Sequence, residues 1–174
     1  MSKNVGIADA LDYFKHDTIE MIHSQITPYN SYNDRKRWML KNLQIKNSVH
    51  VTNTPDSIRN GSYIDWEGAN TLNLLGGYYW LPTKDIWQGL INRFFGEALA
   101  GYNLQVDNRY GMGLGLHGYF YNNQDFENGR KGYYWTATEV NETHAWALEV
   151  SQNSDLARFV SLPKNYRCKV RLIF

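Results

Sequence analysis

Gly115-Leu116-His117-Gly118-Tyr119-Phe120, followed by Asn128-Gly129-Arg130-Lys131-Gly132-Tyr133-Tyr134-Trp135-Thr136-Ala137-Thr138-Glu139, decides the reading of this chain. Both stretches are rich in aromatic residues and punctuated by glycine, which is strand-like. Gly113-Leu114-Gly115-Leu116-His117-Gly118 also spells G-x-G-x-x-G. A dinucleotide site needs that motif to open a helix after a buried strand. Tyr119-Phe120-Tyr121-Asn122-Asn123 is a poor helix start, so the glycines are read as places where a backbone or ring packs closely.

Outward from this stretch the pattern sorts into helices first and strands later, which is an α+β order. Ala8 to Gln25 reads as an amphipathic helix, with Leu11, Phe14, Thr18, Met21 and Ile22 on one stripe and Pro28 beyond it. Trp38-Met39-Leu40-Lys41-Asn42-Leu43 reads as a strand entering the core, and Asn47 to Ser62 as a loop. Asp65 to Leu75 suits a short helix ended by Gly76-Gly77. Thr83 is placed to cap a clearer one, with Asp85 in its first turn, Ile86, Leu90, Ile91 and Phe94 as its stripe, and Gly96 at its end. From Tyr102 onward the pattern turns to β. Trp146, Leu148 and Val150 alternate with Ala145, Ala147 and Glu149, so the first set is expected to pack and the second to face outward. A last strand is expected over Val170 to Phe174.

The 174 residues suit one domain with a core of its own. Eighteen basic and 17 acidic residues leave a net charge of +1, so no strong field is available for nucleic acid or for a polybasic membrane contact. The single cysteine, Cys168, excludes an intrachain disulfide and a cysteine-based zinc site. It lies in an expected strand, where an inert thiol is the reading in preference to a nucleophile served by His144. His16, His23, His50, His117 and His144 form no metal-binding motif, and no cofactor is expected. Asn122, Asn123, Asp125, Glu127 and Asn128 offer oxygens of the kind calcium prefers, but their spacing misses the EF-hand pattern, and a hairpin turn through Asn128-Gly129 is the plainer reading. The N-terminus lacks the apolar core of a signal peptide. Six Trp, 13 Tyr and seven Phe must carry much of the packing, and rings of this kind also suit a binding surface.

Five pieces occur in order: Trp38-Met39-Leu40-Lys41-Asn42-Leu43, Trp66-Glu67-Gly68-Ala69, Trp80-Leu81-Pro82-Thr83-Lys84-Asp85-Ile86-Trp87, Gly132-Tyr133-Tyr134-Trp135-Thr136-Ala137-Thr138-Glu139 and Val170-Arg171-Leu172-Ile173. Together they resemble the Fibrobacter major paralogous domain, within the C-type-lectin-like fold. The resemblance implies an α+β domain over residues 31–174, with two helices, a twisted antiparallel sheet and long loops, preceded by an N-terminal helical extension over residues 1–30. Trp38, Trp66, Trp87 and Trp135 should then be mostly buried. Members occur in bacterial surface proteins, and similar domains form variable receptor-binding proteins, some phage-borne. The implied function is therefore non-enzymatic recognition of a cell-surface protein or glycan. The setting would be a phage virion or tail, or alternatively a bacterial surface or fimbria-associated adhesin. The sulfatase-modifying, formylglycine-generating oxidases share the wider fold. Their chemistry needs paired cysteines, which makes that branch the lesser alternative.

The family usually ends in a valine-arginine-cysteine-valine tetrad, where this chain has Val170-Arg171-Leu172-Ile173. Counting back from it places Ala157 and Phe159 inward. Leu156, Arg158, Val160, Leu162, Tyr166, Arg167 and Cys168 fall at outward or loop positions. Apolar and aromatic residues there suggest a contact surface. The expected ligand-binding set is Asn141, His144, Glu149, Ser151, Arg158, Val160, Leu162, Tyr166 and Arg167, with Tyr166 and Arg167 as anchors.

Overall fold

The computed structural model describes residues 38–39, 41–45, 48–71, 80–105 and 112–173. The N-terminal helix, residues 72–75 of the short helix, and Phe174 lie outside the described residues. Within them the fold is mixed α+β. The elements in chain order are β1 (Val51–Thr52), α1 (Ser57–Asn60), β2 (Tyr63–Asp65), α2 (Trp66–Thr71), α3 (Lys84–Arg93), α4 (Glu97–Gln105), β3 (Tyr119–Tyr121), β4 (Gln124–Phe126), β5 (Lys131–Glu139), β6 (His144–Ser151), β7 (Ala157–Pro163) and β8 (Arg167–Cys168). All strand pairs are antiparallel, in a five-stranded sheet ordered β1-β2-β8-β3-β4 and a three-stranded sheet ordered β5-β6-β7.

Two parallel bridges join the sheets, Gly118 to Gly132 and Tyr134 to Lys169. The first explains the glycine punctuation. A Cβ on Gly132 would lie 2.3 Å from the carbonyl oxygen of Gly115. Gly118 has φ +61°, and a Cβ there would lie 1.8 Å from the carbonyl oxygen of Phe126. The G-x-G-x-x-G stretch thus runs into strand β3 and opens no helix.

The three-stranded sheet is the central layer, buried on both faces. On one side Tyr133, Trp135, Ala145 and Ala147 pack with Leu43, Ile64, Trp66 and Val170. On the other, Tyr134, Leu148, Val150 and Ala157 pack with Trp87, Ile91 and Leu104 of α3 and α4. This corrects the alternation expected for β6. Leu148 and Val150 face the helices, but Ala145 and Ala147 are equally inaccessible and Glu149 is only 5% exposed. Trp146 is half-buried, with the Lys84 ammonium 4.0 Å from its ring centroid. A strand covered on both sides carries no polar face to give it away. Trp66, Trp87 and Trp135 are buried. Trp38 is half-buried, its ring centroid 4.5 Å from that of Trp87.

Helix α3 follows its sequence signals. Thr83 Oγ1 accepts the N–H of Ile86 at 3.3 Å, and Trp87, Leu90 and Ile91 face inward. Phe95 (φ +71°) and Gly96 (φ +83°) then end it in the left-handed region, where the Gly96 N–H reaches Ile91 O at 3.0 Å. The next helix, α4, runs through Gln105, past Tyr102, from which the pattern is expected to turn to β. Its apolar residues lack a helical stripe because they lie on both faces. Trp38–Leu43 makes strand-like bonds to the chain end, Met39 N–H to Leu172 O (2.9 Å) and Leu43 N–H to Val170 O (2.8 Å). Among the described residues of the last strand expected from Val170 only isolated bridges form, Ile173 pairing with Trp38 and Trp80, and the final named strand, β8, ends before it at Cys168.

Cations are buried within this C-terminal segment. Lys169, 1% exposed, donates to Gly61 O at 2.7 Å and lies 3.5 Å from the Tyr63 ring centroid. Burial pulls its pKa down to about 7. His117, which accepts the Tyr63 O–H at its carbonyl, is lowered to about 4 by burial and by the Lys169 and Arg171 charges. Both folded-state values lie below the ordinary ones, so the unfolded chain binds more protons and stability rises with pH between the two values. The windows are about pH 4 to 6.5 for His117 and about pH 7 to 10 for Lys169. Above pH 10 the buried Tyr63 and Tyr133 phenols, held well above their ordinary value by burial, reverse the trend. The melting temperature should therefore climb in both windows. His117→Gln should flatten the acid limb alone, whereas Lys169→Met should flatten the alkaline limb and also shrink the acid one, because the Lys169 charge helps lower His117. Identical pH profiles for wild type and variants would contradict this assignment.

Candidate recognition surface

The β3–β4 hairpin builds one side of the surface. Tyr121 pairs with Gln124 across a two-residue loop, Asn122-Asn123, whose φ values are +48° and +58°. Asparagine tolerates the left-handed conformation that such a turn requires at both positions. The hairpin turn is thus here and not at Asn128-Gly129. That pair instead carries the chain from β4 into β5, with the Arg130 and Lys131 N–H groups both on Glu127 O at 2.9 Å. Asp125 is exposed and accepts from Asn128 Nδ2 at 2.9 Å. Among the described residues, no three His, Cys, Asp or Glu side chains are grouped to share a metal ion.

The hairpin sets Tyr119 opposite Phe126, and the loop before β8 lays Tyr166 on the other face of Tyr119. The ring centroids are 5.2 Å and 4.7 Å apart, with interplanar angles of 12° and 5°. Tyr121 leans on Tyr166 at 4.9 Å, and Tyr133 meets Tyr119 edge-on at 5.6 Å. Phe126, Tyr119, Tyr121 and Tyr166 are all half-buried, so a row of amphipathic rings reaches the surface.

Beside the rings lies a charge cluster. Glu149 Oε1 accepts from Arg158 Nε at 2.9 Å and Nη2 at 2.8 Å, and Oε2 accepts from Lys131 Nζ at 3.3 Å. The register of β6 against β7 puts Glu149 directly opposite Arg158, and that of β5 against β6 puts it opposite Tyr133. Burial, then the Glu149 carboxylate, holds the Tyr133 phenol well above its usual pKa. The Glu149 carboxylate is nearly inaccessible, whereas the Arg158 side chain is 50% exposed. Two cations share one buried carboxylate, leaving a positive edge with guanidinium N–H groups facing outward.

Of the nine expected ligand-binding residues, the structure joins Glu149, Arg158 and Tyr166 through Tyr119 and Tyr133. Val160 and Leu162 do not face outward, because they pack against the core beside Ala147 and Ala145, their partners in β6. Cys168 is likewise inside, its thiol pKa pushed up by burial. The counting back from the C-terminal tetrad assumed that Arg158, Val160 and Leu162 share one solvated face, but only Arg158, near the start of β7, is exposed on that side. Arg167 is a brace: its guanidinium donates to Thr52 Oγ1 and to Val49 O (2.9 Å) and lies 4.0 Å from Asp65 Oδ2. Asn141 and His144 lie at the β5–β6 turn, where Asn141 Oδ1 accepts the N–H groups of Thr143 and His144, each at 2.9 Å. Ser151 lies at the opposite end of the eight-residue β6, roughly 25 Å away, its carbonyl taken by Gln105 Nε2 at 3.0 Å. Ser151 pairs with Lys131 across β5, and His144 with Pro163 across β7, so these three lie at the two ends of β6 and not beside the Tyr119–Tyr166 stack in register.

Sequence reasoning missed Tyr119, Tyr121, Phe126 and Lys131. The Tyr119-x-Tyr121 spacing placed two rings on one face of a strand, which was the available signal. No curated protein and no solved structure matches the chain. Residues 112–173, which carry every strand of this surface, match the family described as Domain of unknown function (DUF8237).

Proposed function

We propose that this chain is a recognition module on a C-type-lectin-like scaffold. Its contact surface is the tyrosine row of Tyr119, Tyr121 and Tyr166 with the edge of Arg158 and Lys131. A cell-surface glycan is the favoured ligand, and a phage virion or a bacterial surface the setting. The observation that carries this reading is the row of half-buried rings beside an oriented, half-exposed guanidinium. Ring faces and edges suit the apolar patches of a sugar, and the guanidinium and ammonium suit its oxygens. Stiff aromatic residues with few rotamers lose little entropy on contact. The five ordered sequence pieces and the α+β layering support the scaffold.

The test is a glycan array and a whole-cell binding assay with the full chain, followed by Tyr121→Ser and Arg158→Gln. Each substitution should weaken binding by about 2 kcal/mol, roughly 30-fold, while the far-ultraviolet circular dichroism stays that of the wild type. Folded variants that bind as well as wild type would place the ligand elsewhere and overturn the reading.

A further inference from the structure

The charge cluster beside the tyrosine row is unbalanced, and its free donors have a definite shape. Arg158 Nε donates to Glu149 Oε1 at 2.9 Å, with Nη2 2.8 Å from the same oxygen. That occupies one edge of the guanidinium. Among the described residues the Nη1–Nη2 edge has no partner, on a side chain that is half exposed. Glu149 also takes Lys131 Nζ at 3.3 Å, so one carboxylate serves two cations. Glu127 and Arg130, on the turn leading into β5, pair at 3.8 Å. Three cations therefore stand against two carboxylates, an excess of one positive charge.

The nearly inaccessible Glu149 fixes the guanidinium before any ligand arrives, which lowers the ordering cost of binding. Two parallel N–H groups on a rigid plane match the two oxygens of a carboxylate, and a single excess charge matches a monoanion. The strand register sets the distance to the rings. Arg158, Glu149 and Tyr133 lie opposite one another across β7, β6 and β5, and Tyr133 meets Tyr119 edge-on. Two strand spacings, about 10 Å, separate Arg158 from the strand that carries Tyr133, a gap that a short oligosaccharide bridges.

We infer, resting on the recognition surface proposed above, that its glycan is acidic: a sialic- or uronic-acid carboxylate docks on the free edge of Arg158 while a neighbouring sugar ring lies on Tyr121 and Tyr166. Lys131 adds charge without a fork, and Glu149 is a positioning residue that touches no ligand.

A glycan array that presents each core in neutral, carboxylated and sulfated form tests this with the full chain. Titration calorimetry then compares the best carboxylated oligosaccharide with its methyl ester. The acid should bind at least tenfold more tightly than the ester or the neutral core. Arg158→Lys keeps the charge and loses the fork, so it should cost the acid a similar tenfold and leave the ester unaffected, with the circular dichroism of the wild type. The acid–ester comparison needs no variant, so it decides the matter even where Arg158→Lys folds poorly. Equal affinity for acid and ester, a preference for the sulfated form, or full discrimination by a folded Arg158→Lys would overturn the carboxylate assignment. Binding to neutral glycans that is lost in Tyr121→Ser would overturn that assignment alone and leave the recognition surface standing. Absence of binding to every glycan would overturn both.

Discussion

Replacing Arg171 with leucine should destabilise the protein by about 4 kcal/mol or more, and the variant is expected to be recovered largely unfolded. Arg171 is 2% exposed and has no carboxylate partner among the described residues. Its guanidinium instead donates to four oxygens: Asn42 Oδ1 (2.6 Å), Met112 O (2.7 Å), Met39 O (3.2 Å) and Gly113 O (3.3 Å). Burial lowers its pKa to about 10, so it stays charged at neutral pH. Leucine fills part of the space but leaves the buried acceptors unpaired, at about 1–3 kcal/mol each when fully desolvated. Arg171→Lys should recover only part of the loss, since a compact ammonium cannot fork onto four oxygens spread around a planar group. Urea unfolding followed by circular dichroism measures both. A cost below 1 kcal/mol for the leucine variant would show that the loops around Met39 and Met112 are held by something else.

Trp135→Ala should cost on the order of 3–5 kcal/mol. The side chain is fully buried in the middle of β5, and its indole N–H donates to Ile64 O at 2.9 Å. Its neighbour in the chain completes a second link, because Trp66 Nε1–H donates to Thr136 O at 2.9 Å. The two indoles thus tie the central sheet to β2 and α2 by both packing and hydrogen bonds. Trp135→Phe separates the contributions, since it keeps much of the ring volume but leaves Ile64 O unpaired. It should cost about 1–3 kcal/mol. A phenylalanine variant as damaging as the alanine one would put nearly all of the effect in the hydrogen bond or the lost ring volume, and not in burial as such.

How much of this was legible beforehand depends on the range of the interaction. Thr83, Asp85 and the stripe through Ile91 announced α3, because a cap and a helical period are local properties. Gly118 announced close backbone approach, because only glycine tolerates it. The last strand expected over Val170 to Phe174 is reduced to isolated bridges, although Val170, Leu172 and Ile173 are all buried. Helix α4 was not legible, since a helix apolar on both sides has no stripe to reveal its period.

The amino-acid sequence by itself determined which residues share a side of each element: Ala145 with Ala147 and Glu149, Leu148 with Val150, Tyr119 with Tyr121. Side-chain period is a property of the backbone, so it holds whatever surrounds the strand. Only the tertiary structure decided what covers each side. It placed two packed layers against the central sheet, which turned Val160 and Leu162 inward and enclosed Glu149. It also brought Tyr166 onto Tyr119 across most of the C-terminal half of the chain, and buried Lys169 and Arg171 among backbone carbonyls. Those outcomes depend on pairings between residues distant in sequence, and no local period encodes them.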